Sequence, residues 1–215
     1  MFFSKALFAM LVLSLAWSVS NVIAPYSIPP GSAAYLDGSA NVIDNGDRYN
    51  AYWFYPQVVY YLGDAQCHQL SYRSIWLNGN QMPMDARMES IYLFANVGLL
   101  AAMFTIPSTS VSQGLVNALP KRLRAWGRKH LGPEVLAGAV VFLGILPVAA
   151  DGFGQLLTPY ESTNLIRVLT GIPTGFVAGL LVGVMMTSIR QVTVETRALR
   201  TGPRTMDAPS PEREP

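Results

Sequence analysis

One cysteine and two histidines in a chain of 215 residues leave little room for thiol or imidazole chemistry. With a single thiol, no disulfide can form within the chain, and a zinc site closed by several cysteines is excluded. Charge is scarce as well, at 13% of residues where soluble domains carry about 25%. There is no internal repeat, no glycine-rich phosphate loop and no nucleophile elbow. The formal net charge of +2 is too small for a chain that grips nucleic acid, so no such partner is expected.

What the chain has in quantity is apolar length. Hydrophobic residues make up 51% of it and gather in four runs, at about 2–24, 89–106, 134–153 and 164–189. A helix crossing the hydrocarbon core needs about 20 such residues, because unpaired backbone groups are too costly there. Each run is bounded by proline, glycine or charge, so four separate spans are expected rather than two long ones. The first run could instead be a secretory signal. Ile23-Ala24-Pro25 is a poor cleavage context, however, and an uncleaved anchor is expected.

Lys and Arg set the orientation. Lys121, Arg122, Arg124, Arg128 and Lys129 crowd the connection between runs two and three, and Arg190, Arg197, Arg200, Arg204 and Arg213 follow run four. Only Arg48, Arg73, Arg87 and Arg167 fall on the other side, among Asp37, Asp44, Asp47, Asp64, Asp85, Asp151 and Glu161. The positive-inside rule puts both termini in the cytoplasm. The expected class is an all-α, integral-membrane four-helix bundle in a prokaryotic plasma membrane, with a long extracytoplasmic loop at 25–88. Its partners are then the lipid bilayer and other membrane subunits.

The loop divides in two. Its first half is rich in turn formers, and Asn78-Gly79 marks a tight turn further on. Between them Tyr49, Tyr52, Trp53, Phe54, Tyr55, Tyr60 and Tyr61 follow closely, which fits a short helix on the membrane surface or a contact with a neighbouring protein. On the inner side Leu115, Leu119, Leu123 and Trp126 recur at helical spacing, so 115–130 is expected to be an amphipathic interfacial segment. The tail at 190–215 is expected to be disordered.

Gly171, Gly175, Gly179 and Gly183 lie four apart and form a groove along one helix face, suited to a second backbone. That backbone is either another span of the same chain or a partner subunit. Thr170 and Thr174 flank the groove and can hydrogen-bond across it. At the outer ends of the spans lie Cys67, His68, Gln69, Arg73, Asp85, Arg87, Glu89, Asp151, Gln155, Glu161, Asn164 and Arg167. Glu89, Tyr92 and Asn96 share one helix face. Ionisable groups at a membrane mouth must pair or face water, so these are expected to converge on a common outer pocket.

Cys67-His68-Gln69, Tyr72-Arg73-Ser74, Asn78-Gly79-x-Gln81-x-Pro83, Arg87 and Ile91-Tyr92 resemble a family of small prokaryotic membrane proteins filed as domain of unknown function 2085. Asp151-Gly152-x-x-Gln155 and Glu161-Ser162-x-Asn164-x-x-Arg167-x-x-Thr170-Gly171-x-x-x-Gly175 match its second signature, so the resemblance runs from about Tyr60 to Gly183. The family pattern continues Cys-x-Arg-Cys-x-Gly-Ile-Tyr, which implies a thiolate and imidazole metal site. This chain has Asp85 and Met88 at the two later cysteines and Ser90 at the glycine. Cys67, His68, Asp85 and Glu89 remain as donors for zinc, and Met88 would add a thioether suited to copper. The plainer alternative makes His68, Arg73, Asp85 and Arg87 an ionic network that holds the loop on the helix ends.

Three functions follow from these observations. One is an accessory or structural subunit of a larger membrane assembly, with a polar outer pocket that binds a metal. The second is a metal-dependent or redox enzyme at the outer face. The third, a transporter, has least support, since Asn96 is the one strongly polar side chain deep in a span.

Overall fold

A computed structural model describes residues 4–39 and 41–201. The opening of the expected first span, residues 2–3, and positions 202–215 of the expected tail lie outside the described residues. Helix α1 (Lys5–Ile23) starts at Ser4, whose hydroxyl accepts the Leu7 N–H at 3.4 Å. A compact outer segment follows, with α2 (Gly46–Tyr49), α3 (Phe54–Asp64) and a hairpin of β1 (Ser74–Leu77) and β2 (Asn80–Asp85). Then come α4 (Ala86–Ala102), α5 (Val111–Ala118), α6 (Lys121–His130), α7 (Gly132–Leu157) and α8 (Asn164–Thr201).

Among the described residues, Lys5–Ser27, Gly132–Leu157 and Asn164–Arg200 are long and apolar enough to cross a membrane. Helix α4 is shorter. Its 17 residues rise about 25 Å, against a hydrocarbon core of about 30 Å. It packs on α8 along the glycine face, and the two run in the same direction. A methyl group on Gly171 would meet Ser90, on Gly175 the backbone of Ile91, on Gly179 that of Ala95 and on Gly183 the Ala102 side chain. From the other side, Gly98 faces the Phe176 carbonyl. The groove is therefore filled by the chain's own α4. Thr174 reaches the opposite neighbour, donating to the Gly144 carbonyl of α7 at 2.9 Å, whereas Thr170 bonds back to Ile166 within α8.

The alternating directions place one end of α4, α7 and α8 together. Helix α7 runs against α8, since Gly144 meets Thr174 and Val177 while Asp151 reaches Arg87. Helix α1 runs against α4: Leu7 packs with Leu99 and Ala102, and Asn96 donates to the Ser18 hydroxyl at 3.0 Å. At the far end α5 closes the apolar core with Leu115 and Val116.

The outer segment is more ordered than its composition implies, and its hairpin amends the all-α expectation. Asn78 and Gly79 have φ of 52° and 71°, the left-handed pair that a two-residue turn joining β1 to β2 requires. Asn80 and Gln81 then lash the turn-rich stretch to the hairpin. Asn80 accepts from Ala33 N–H at 3.0 Å and donates to the Pro25 carbonyl at 2.9 Å; Gln81 accepts from Leu36 N–H at 3.1 Å. Tyr49 and Tyr60 are fully buried with rings 5.7 Å apart, and Tyr49 donates to Gln69. These rings form a core, while Trp53 and Phe54 remain exposed.

Two boundaries also move. The expected amphipathic segment 115–130 breaks at Leu119-Pro120 into α5 and α6, because proline offers no N–H to continue the helix. The expected disordered tail begins as helix: α8 continues from Arg190 to Thr201 with no glycine or proline to stop it, and Gln191 donates to Glu195 one turn on at 2.9 Å.

The α4–α8 contact predicts a sharp contrast between two glycines. Gly179→Leu should cost roughly 1–3 kcal/mol or prevent folding, because the Ala95 backbone cannot yield. Gly138→Leu, with open space about it, should leave the thermal midpoint in detergent unchanged.

Candidate functional site

The site sits where the hairpin meets the N-terminal ends of α4 and α8 and the C-terminal end of α7. Asp85 ends β2 and caps α4, accepting the Met88 N–H at 2.7 Å, which fixes the first turn carrying Arg87. On α7, Asp151 and Gln155 are one turn apart and face the same way. On α8, Arg167 lies in the first turn, and Asn164 ties that turn to the hairpin by donating to the Ser74 carbonyl at 3.0 Å.

A continuous chain of charge-assisted bonds joins these elements. Arg73 and Arg167 both donate to one oxygen of Glu161, at 3.1 and 2.8 Å. Arg167 also donates to Gln155 Oε1 at 2.9 Å and to the Ser162 carbonyl at 3.1 Å. Gln155 Nε2 donates to Asp151 at 3.0 Å, the Tyr160 hydroxyl donates to the same carboxylate at 3.2 Å, and Arg87 pairs with it directly. Arg167 is 2% exposed and Asp151 8%, so separating such partners would strand a charge out of water.

Beside this network lies a cavity of about 470 Å³, lined by Gln66, Cys67, His68, Arg73, Asp85, Arg87, Met88, Gly152, Gln155, Leu156 and Arg167. It thus brings together residues from around His68 and around Arg167. Other expected pocket residues lie elsewhere. Gln69 is fully buried in the outer segment, donating to the Pro83 carbonyl at 2.9 Å. Asn164 is spent on Ser74, and Asp151 and Glu161 stand behind the arginines without lining the cavity.

Of the four expected metal donors, Cys67, His68 and Asp85 line the cavity and Glu89 does not. Cys67 is buried and its thiol contacts Asp85, whereas His68 is exposed. Glu89 is buried, outside the cavity lining, and neither of its carboxyl oxygens has a hydrogen-bond partner. Among the described residues no group of three or more His, Cys, Asp or Glu comes together to hold a metal ion. Glu89, Tyr92 and Asn96 do follow one face of α4: Asn96 meets Ser18 of α1, and Tyr92 donates to Gln66 at 2.7 Å.

Sequence reasoning passed over Gln66, Leu156 and Tyr160. Gln66 sits one residue before Cys67 and Tyr160 one before Glu161, so nearness to the polar motifs was the available signal. Leu156 carried none.

Comparison with known proteins yields relatives from archaea. An uncharacterized protein of Methanocaldococcus jannaschii is 26% identical over 166 residues, covering 77% of this chain and 83% of its own length. An uncharacterized protein of Methanothermobacter thermautotrophicus is 29% identical over 119 residues, covering 55% of this chain and 86% of its own length. No solved structure matches the chain. The family described as Predicted membrane protein (DUF2085) matches residues 67–181, a stretch that holds the cavity lining from Cys67 to Arg167 and most of the α4–α8 contact. Over half of its length, and with the whole ionic network from Arg73 to Arg167 inside the match, this chain belongs to the DUF2085 family of membrane proteins.

Proposed function

We propose that the chain is an accessory integral-membrane subunit whose outer cavity recognises a small polar group and does not turn it over. In this reading α4 is the second of four spans, completed by Met103 to Ile106, and both termini are cytoplasmic in a prokaryotic plasma membrane. The basic residues after α5 and within α6 and α8 support that orientation.

The observation that carries the recognition role is the state of the cavity's one thiol. Burial and the neighbouring Asp85 carboxylate push the Cys67 thiol up to about 11 from an ordinary 9.0. A thiol held protonated at neutral pH is a poor nucleophile and a poor metal ligand. The cavity arginines and Gln155 are likewise engaged in holding elements together, which suits a preformed binding surface.

A metal-dependent or redox enzyme draws its support from the adjacency of Cys67 and Asp85. His68 lines the same cavity, but among the described residues no three such donors come together to hold a metal ion, so recognition accounts for more of the geometry.

Two measurements follow. Tagged protein extracted from native membranes in mild detergent should carry a larger membrane assembly with it; an isolated, monodisperse monomer would argue against a subunit role. Cys67 should react with a small maleimide at pH 8 roughly 100-fold more slowly than it does in unfolded protein, because so little thiolate is present. The sign follows for stability: the raised thiol contributes fully below pH 9.0, and that contribution is lost as pH climbs toward 11. Alkylation at the unfolded rate in folded protein would contradict both statements.

A further inference from the structure

The charges that line the cavity are not those that balance it. Arg73, Arg87 and Arg167 face the cavity, while their carboxylate partners, Glu161 and Asp151, lie outside its lining. The single acid in the lining, Asp85, already accepts the Met88 N–H and the Cys67 thiol. The lining itself is therefore cationic. The three guanidinium groups also come from three different elements and stand close enough for Arg73 and Arg87 to act electrostatically on Arg167. Paired carboxylates balance these groups from outside the lining, so an anion that enters meets guanidinium groups first.

Donor capacity is left over as well. The Nε atoms of Arg73 and Arg87 are buried without a hydrogen-bond partner. Planar guanidinium forks match tetrahedral oxyanions, and three of them around one space suit a phosphate better than a single carboxylate. The cavity of about 470 Å³ has room for more than a bare phosphate. One wall is apolar: Leu156 and Met88 line it, and Leu156, Leu157 and Phe153 are exposed at 77, 76 and 62% on the same end of α7. Cationic depth with an apolar lip is the shape of a site for an amphiphile at headgroup level.

We propose that this cavity binds a phosphate-bearing anion through Arg73, Arg87 and Arg167, and that the phosphate is the headgroup of a membrane lipid whose chains pass over Leu156. This deepens the recognition role above, since it names the polar group recognised, but it is independent of the subunit role. Loss of co-purification would sink the latter alone.

The test uses the full chain in a nonionic detergent, titrated with dihexanoyl phosphatidic acid, dihexanoyl phosphatidylcholine and inorganic phosphate while thermal unfolding is followed. Dihexanoyl phosphatidic acid should raise the midpoint saturably and phosphatidylcholine should not. Binding of inorganic phosphate with similar half-saturation would keep the anion site and assign it to free phosphate; binding of the lipid alone assigns it to a headgroup. Arg73→Gln should raise the half-saturation concentration at least tenfold. Glu161→Gln, which releases Arg73 and Arg167 from their shared carboxylate, should lower it; the two variants thus move half-saturation in opposite directions, which a general loss of fold would not do. Arg48→Gln, in the outer segment away from this cavity, should change nothing. Absence of saturable binding by either anion would overturn the proposal. So would unchanged binding in folded Arg73→Gln, or weaker binding in Glu161→Gln.

Discussion

The close parallel contact between α4 and α8 is the constraint on which the rest depends. Four glycines on α8 and Gly98 on α4 let the two backbones touch, and side chains larger than hydrogen would force them apart. Parallel helices held in register have their N-termini at the same end. Arg87, in the first turn of α4, is therefore brought beside Arg167, in the first turn of α8. Once α7 returns antiparallel, Asp151 and Gln155 arrive at that end too. The network of charges is a consequence of helix packing, and it in turn fixes the hairpin through Arg73 and Glu161.

The cavity inherits its character from this order of events. Carboxylates placed behind the arginines neutralise the buried charge without occupying the space in front of it. Cys67 is buried in the lining with its proton retained, and Asp85 is divided between a helix cap and that thiol. The same residues that hold the outer segment on the helix ends also shape a cationic surface. On the reading proposed above, structural pairing and recognition are two uses of one set of side chains.

Much of this was legible in the sequence, and for identifiable reasons. A glycine every fourth residue has one geometric meaning on a helix, so the α8 groove could be read directly, although its occupant could not. Clusters of Arg, Asp and Gln near span ends had to converge, but residue type does not distinguish a cavity wall from a structural tie. Gln69 and Asn164 were expected in the pocket and instead close backbone hydrogen bonds elsewhere. The hairpin was hidden because Asn80, Gln81 and Asp85 look like loop residues; the Asn80 and Gln81 amides are buried by bonding to Ala33, Leu36 and Pro25, contacts some 45 residues or more away. The aromatic run read as a membrane-surface helix or a contact with a neighbouring protein because the residues it packs on, Ala24 to Leu36, lie in a turn-rich stretch without a helical or strand pattern. The helical start of the tail was missed because the Pro-, Arg-, Glu- and Ser-rich composition of its end was extended back to position 190, while the absence of glycine or proline before position 202 was the better signal.

The most direct test of the central claim is the side of the membrane on which each helix end lies. In a Cys67→Ser background, single cysteines at positions 68, 156, 117 and 199 would be probed in intact cells with a membrane-impermeant maleimide. Cysteines at 68 and 156 should both label from outside, and those at 117 and 199 only after the membrane is opened. Labelling of 68 and 156 from opposite sides would separate the hairpin from the end of α7, and the shared cavity would not exist.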